Sequence, residues 1–89
     1  LLDCSANKIS GAIDVFGMYS LQTLRCNNNQ LTQVPNVWDI SSSVNHLKCS
    51  YNRFEPDDCA DIQTVIAMNL SAFQFNPQSD GSTLTCGSD

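Results

Sequence analysis

Positive charge is scarce in this chain: 4 Lys plus Arg stand against 9 Asp plus Glu, a net charge of −5 over 89 residues. A surface this acidic repels phosphates, so no nucleic-acid partner is expected. Apolar runs are short. None approaches the roughly 20 residues of a membrane helix, so no membrane insertion is expected, and no signal peptide is visible. No Cys-x-x-Cys occurs among the 5 cysteines, and the chain has 1 His, which leaves no zinc-ligand spacing. The cluster Asp57, Asp58 and Asp61 lacks the Asp-x-Asp-x-Asn-Gly order of a calcium loop. A phosphate-binding glycine loop is missing too. We therefore expect neither metal nor cofactor. What the composition does offer is 42% apolar residues, enough for one domain with a narrow core and no deep cavity.

Against these absences stands a repetition. Leu2-Asp3-Cys4-Ser5-Ala6-Asn7-Lys8-Ile9, Leu24-Arg25-Cys26-Asn27-Asn28-Asn29-Gln30-Leu31 and Leu47-Lys48-Cys49-Ser50-Tyr51-Asn52-Arg53-Phe54 all spell Leu-x-Cys-x-x-Asn-x-apolar, at spacings of 22 and 23 residues. A unit of that length cannot bury its own apolar side and becomes stable by stacking on neighbours. Alternation within each motif turns Leu2, Leu24 and Leu47 inward with Cys4, Cys26 and Cys49, while the residue between them faces outward. A thiol suits such a column because it packs as a small hydrophobe. The amides of Asn7, Asn29 and Asn52 can satisfy backbone groups that the following turn leaves unpaired. Ile9, Leu31 and Phe54 then re-enter the core. Ile13, Val15 and Phe16 in one winding, and Val34, Val37, Trp38 and Ile40 in the next, are expected to fill the return side. Gly11 and Pro35 interrupt any regular helix there.

These residues carry a family resemblance. The stretches "LDCSANKISGAI", "LQTLRCNNNQLTQVP" and "LKCSYNRF" resemble the leucine-rich repeat family, in the variety with cysteine in the strand, as in arrays of bacterial surface proteins and of phage or metagenomic sequences. The resemblance covers residues 1–54. It implies an α/β repeat solenoid: a right-handed coil with a parallel concave β-sheet, an irregular convex side and a C-terminal capping helix. Residues 55–69 supply that helix. Pro56 is tolerated in a first turn, and Asp57, Asp58 and Asp61 suit the positive end of the helix dipole. Cys59, Ile62, Val65 and Ile66 form one apolar stripe. In residues 70–89, Leu70, Phe73 and Phe75 match Leu21, Leu24 and Cys26 as a last strand, which Asn76-Pro77 ends. Thr83–Cys86 is expected to add a short terminal strand. Leu1 starts within a strand motif and no initiating Met is present, so we expect the chain to be part of a longer protein.

The outward positions define a candidate concave face. One row comprises Asp3, Arg25, Lys48 and Gln74; a second comprises Ser5, Asn27, Ser50 and Asn76; a third comprises Thr23, His46 and Ala72. Arg25 and Lys48 in neighbouring slots suit an anionic patch of a partner. No aromatic anchor lies on this face, so contact through it is expected to be weak. His46 should face outward and Cys49 inward, which rules them out as a catalytic pair. Cys59 and Cys86 stand outside the column, either as two free thiols or as a helix-to-tail bridge that would favour an oxidising compartment. Asn69-Leu70-Ser71 is a glycosylation-type triplet best explained by chance. The leading expectation is a non-enzymatic module for protein or glycan binding on a secreted, surface-displayed or virion-associated protein. A structural spacer or filament subunit, self-associating through an open N-terminal coil, is the first alternative. The substrate-recognition part of a larger enzyme, such as a repeat-containing ubiquitin ligase, is the second.

Overall fold

A computed structural model of the chain describes residues 1–40 and 43–87. Its strands are short: β1 (Leu2–Asp3), β2 (Ser10–Gly11), β3 (Thr23–Arg25), β4 (Gln30–Leu31), β5 (His46–Lys48) and β6 (Ala72–Gln74). One α-helix, α1 (Cys59–Ala67), follows a single 3₁₀ turn at Pro56–Asp58, and a second such turn spans Val37–Ile40. Strands β1, β3, β5 and β6 lie side by side in chain order as a parallel sheet, and β2 pairs with β4 in a second small sheet. All the pairings are parallel, so each return segment carries the chain back to start the next winding.

Register brings equivalent residues together. Leu2 pairs with Leu24, Leu24 with Leu47, and Leu47 with Phe73. Leu24 and Leu47 are buried, while Leu2 and Phe73, at the two ends of the row, are half-buried. The thiol positions follow suit: Cys26 and Cys49 are buried, Cys4 is half-buried, and Phe75 occupies the next place in full burial. A residue between two windings is covered on both flanks, whereas Leu2, Cys4 and Phe73 in the end windings are less covered. Phe75 fills its larger end position by packing its ring 5.2 Å from that of Phe73. Val15, Val34, Val37 and Ile40 close the return side, and Ile62 and Val65 bring α1 onto the Val37–Ile40 turn.

Carboxamides stitch the windings together. Asn29 donates from Nδ2 to the carbonyls of Cys4 (2.9 Å) and Cys26 (3.0 Å), and its Oδ1 accepts the Ile9 N–H at 3.1 Å. One winding later Asn52 donates to Cys26 (3.0 Å) and Cys49 (2.9 Å) and accepts from Leu31 at 3.0 Å. Gln78 repeats two of these three bonds, donating to the Phe75 carbonyl and accepting the Phe54 N–H at 2.9 Å. Each amide thus satisfies a turn in its own winding and an N–H in the winding before. Asn7 donates to Cys4 and Ser5 and is exposed. On the return side Asn36 makes a further bridge. Its Oδ1 accepts the Val15 N–H at 2.9 Å, and its Nδ2 donates to Asp14 and Asp39.

Several expectations need correction. Phe16 does not enter the core; it is 68% exposed. Asp14 accepts the Phe16 N–H and the Val15 carbonyl accepts from Met18, so the chain turns immediately after Val15 and throws Phe16 outward. Glu55 is outside the helix: its N–H donates to Asp58 Oδ2 at 2.8 Å, and the regular α-helix begins only at Cys59. Thr83–Cys86 forms no strand. There the Asn76 side chain takes the place of a strand partner, donating to the Leu84 carbonyl and accepting the Leu84 N–H. Cys59 and Cys86 are joined by a disulfide that ties the start of α1 to the tail.

The ladder predicts a steep difference between equivalent asparagines. Asn52→Ala strands two buried carbonyls and the Leu31 N–H, and is expected to cost about 3 kcal/mol. Asn7→Ala exposes groups that water can satisfy and should cost less than about 1 kcal/mol. Urea denaturation of the two variants measures both.

Candidate functional site

Strand alternation places the outward residues of β1, β3, β5 and β6 on one open face. Asp3, Arg25, Lys48 and Gln74 occur in register across it, with Thr23, His46 and Ala72 one row along. Asp3, Arg25, His46, Lys48 and Gln74 are exposed and Thr23 is half-buried. Between them lies a shallow depression of about 400 Å³, floored by the backbone of β3 and β5 around Leu24 and Leu47. The second expected row is not an exposed row. Ser50 is buried, and Asn27 and Asn76 are half-buried, because the chain bends into the asparagine turn directly after the strand.

Charges on this face are loosely held. Asp3 accepts from both the Ser5 hydroxyl (2.6 Å) and the Ser5 N–H (3.0 Å). Those two bonds, more than the nearby guanidinium, hold its carboxyl below the ordinary aspartate range. Arg25 Nη1 lies 4.0 Å from Asp3 Oδ2, with both side chains about half exposed. An ion pair that long and that wet contributes little, so Arg25 can be taken by a partner at small cost. Lys48 and His46 make no ion pair among the described residues. Charge is also segregated over the fold. Asp14, Asp39, Glu55, Asp57, Asp58 and Asp61, 6 of the 9 acidic residues, lie on return segments or at the start of α1.

The other candidate groups are placed apart. His46 is exposed whereas Cys49 is fully buried beneath the sheet, so the two do not meet. Cys4, Cys26 and Cys49 take no part in the disulfide. Burial, and then the neighbouring Cys26, push the Cys4 thiol up, away from the thiolate form that reacts. No cluster of metal-ligating side chains occurs among the described residues. Nor is any helix among them long and apolar enough to cross a membrane. Asp57, Asp58 and Asp61 line the start of α1; partial burial is the main cause that pushes Asp58 up.

Two residues of structural weight escaped the sequence reading. Gln78 lies three residues after Phe75, just as Asn29 follows Cys26 and Asn52 follows Cys49; that spacing was the available signal. Asn36 carried a signal too: Asn36-Val37-Trp38 follows Asp14-Val15-Phe16 by 22 residues, the spacing of the first two strand motifs. No protein-family model, curated protein or solved structure matches the chain.

The depressed carboxyl yields a pH prediction. Asp3 is more acidic folded than unfolded, so its contribution to stability is present above the unfolded pKa and lost as pH falls through the folded one, below about pH 4. Ser5→Ala removes both the hydroxyl bond and part of this effect. Carboxyl NMR titration should show Asp3 moving up toward an ordinary aspartate in that variant, with the other aspartates unmoved.

Proposed function

We propose that this chain is a non-enzymatic binding module of leucine-rich repeat type, whose parallel-sheet face meets an acidic segment of a protein partner. Arg25 and Lys48, in register on adjacent strands of an otherwise acidic chain, carry the reading. Strands are about 4.8 Å apart, so two cations in one row present a spacing that neighbouring carboxylates of an extended peptide can follow. Gln74 and Thr23 flank them with neutral hydrogen-bonding groups, and the depression between the rows admits a side chain. A secreted or surface-displayed setting fits the helix-to-tail disulfide, since such bonds persist in oxidising compartments.

A spacer or filament subunit is the second reading, supported by a different observation. Leu1, Phe16 and Tyr19 of the first winding are 77%, 68% and 60% exposed, and the rings of Phe16 and Tyr19 meet edge to face at 6.4 Å.

Titration with a ten-residue oligoglutamate probe tests the first reading. Binding is expected in the range of about 0.1–1 mM and to weaken with salt. The double variant Arg25→Glu/Lys48→Glu should bind at least about tenfold more weakly, with unchanged circular dichroism. Equal binding by the variant contradicts the proposal. Concentration-dependent rods in electron microscopy, insensitive to those charges, would favour the spacer.

A further inference from the structure

The turn after each strand contains a residue with left-handed backbone. Ala6, Asn28 and Tyr51 have φ of 56°, 60° and 57°, and each passes its N–H to the winding that follows, at Asn27, Ser50 and Pro77. The fold demands this conformation whatever the side chain. Asparagine adopts it readily, but for a bulky aromatic it is an outlier. Tyr51 is therefore placed against local preference. It is 45% exposed, and neither its ring nor its hydroxyl has a partner among the described residues. Strain kept at a half-exposed aromatic ring marks a place to look for function.

The surroundings of Tyr51 narrow the ligand. Asn7, Asn28, Gln30, Arg53 and Ser79 join it around a depression of about 330 Å³ at the rim where the strands end. The side chains of Asn28, Gln30 and Arg53 make no hydrogen bond or ion pair among the described residues. Each carboxamide offers a donor and an acceptor side by side. A sugar hydroxyl likewise needs both, whereas a carboxylate or phosphate accepts only. The exposed ring adds an apolar face with a negative quadrupole, which attracts the weakly positive C–H groups lining one side of a pyranose. The lining holds four carboxamides, Asn7, Asn28, Asn29 and Gln30, against one charged group, Arg53, so groups that pair with hydroxyls outnumber the single cation. Nor is the platform soft, because the adjoining Asn52 is fully buried and hydrogen-bonded on both sides. From this combination we infer that the rim around Tyr51 is a subsite for neutral carbohydrate, with the ring stacking on a pyranose and Asn28 and Gln30 bonding its hydroxyls. This site is separate from the sheet face and does not depend on the peptide-binding proposal.

Amide-resolved NMR titration with maltotriose, cellotriose and chitotriose, and with a heparin tetrasaccharide as the charged control, tests it. At least one neutral trisaccharide should give saturable shifts at Asn28, Gln30 and Tyr51 with a millimolar-range dissociation constant of about 1–10 mM. Tyr51→Asn should weaken that binding about tenfold or more, and Tyr51→Phe by less than about threefold. Because asparagine fits left-handed backbone, Tyr51→Asn should melt no lower than the parent, which separates lost contact from lost fold. Arg25→Glu/Lys48→Glu should leave the sugar shifts unchanged. No saturable shift with any neutral trisaccharide, binding confined to the heparin fragment, or undiminished binding by Tyr51→Asn would each overturn the inference.

Discussion

A carboxamide between two windings is the interaction on which the rest depends. Strands of two or three residues cannot hold a sheet by their own ladders. Leucines and thiols fill the interior, but apolar packing has no direction and does not set which winding lies beside which. Asn29, Asn52 and Gln78 do. Each donates to a backbone carbonyl of its own winding and accepts an N–H two residues beyond the equivalent position of the previous winding. A shift by one residue would leave these buried polar groups unpaired, at a cost of about 1–3 kcal/mol each. That penalty, repeated along the stack, fixes the register that aligns Arg25 with Lys48.

Function then follows from what the ladder leaves outside. Because the interior takes the Leu and Cys positions and the turn takes the Asn, variation is confined to the residues between. These residues form the strand face and the rim. All 4 basic residues of the chain fall there, with Arg25 and Lys48 on the face and Lys8 and Arg53 each directly after a turn asparagine. Six of the 9 acidic residues are on return segments or at the start of α1. The two proposed surfaces divide the chemistry: a charged row for carboxylates and an amide-rich rim around an aromatic ring for sugars. Neither asks for a moving part, in keeping with the rigid scaffold beneath them.

Much of the scaffold was legible because repetition exposes it. Leu24 over Leu47, and Phe73 as their successor, followed from counting between motifs, and the face carrying Asp3, Arg25, Lys48 and Gln74 followed from strand alternation. What escaped detection was singular or longer than the pattern. Gln78 does the work of an asparagine with one more methylene, and Asn76-Pro77 had the look of a chain leaving the fold. Phe16 seemed as good a core residue as Val15, yet a carboxylate-capped turn admits only one of two neighbours. The Asn76 amide imitates a strand for Leu84, which no periodicity could reveal. Tyr51 was hidden differently: Ala, Asn and Tyr share no property that announces a left-handed backbone, so its exposure at the rim appears only in three dimensions.

Native-state hydrogen exchange tests the carboxamide ladder most directly. The amides of Leu31 and Phe54 are bonded to the side-chain oxygens of Asn52 and Gln78. If those side chains hold the windings in register, both amides exchange only when the whole chain unfolds, as slowly as the Cys26 amide in the main sheet. Exchange of Leu31 and Phe54 at the rate of an open turn such as Gly17 would show that the windings stack without the ladder, and would contradict the account.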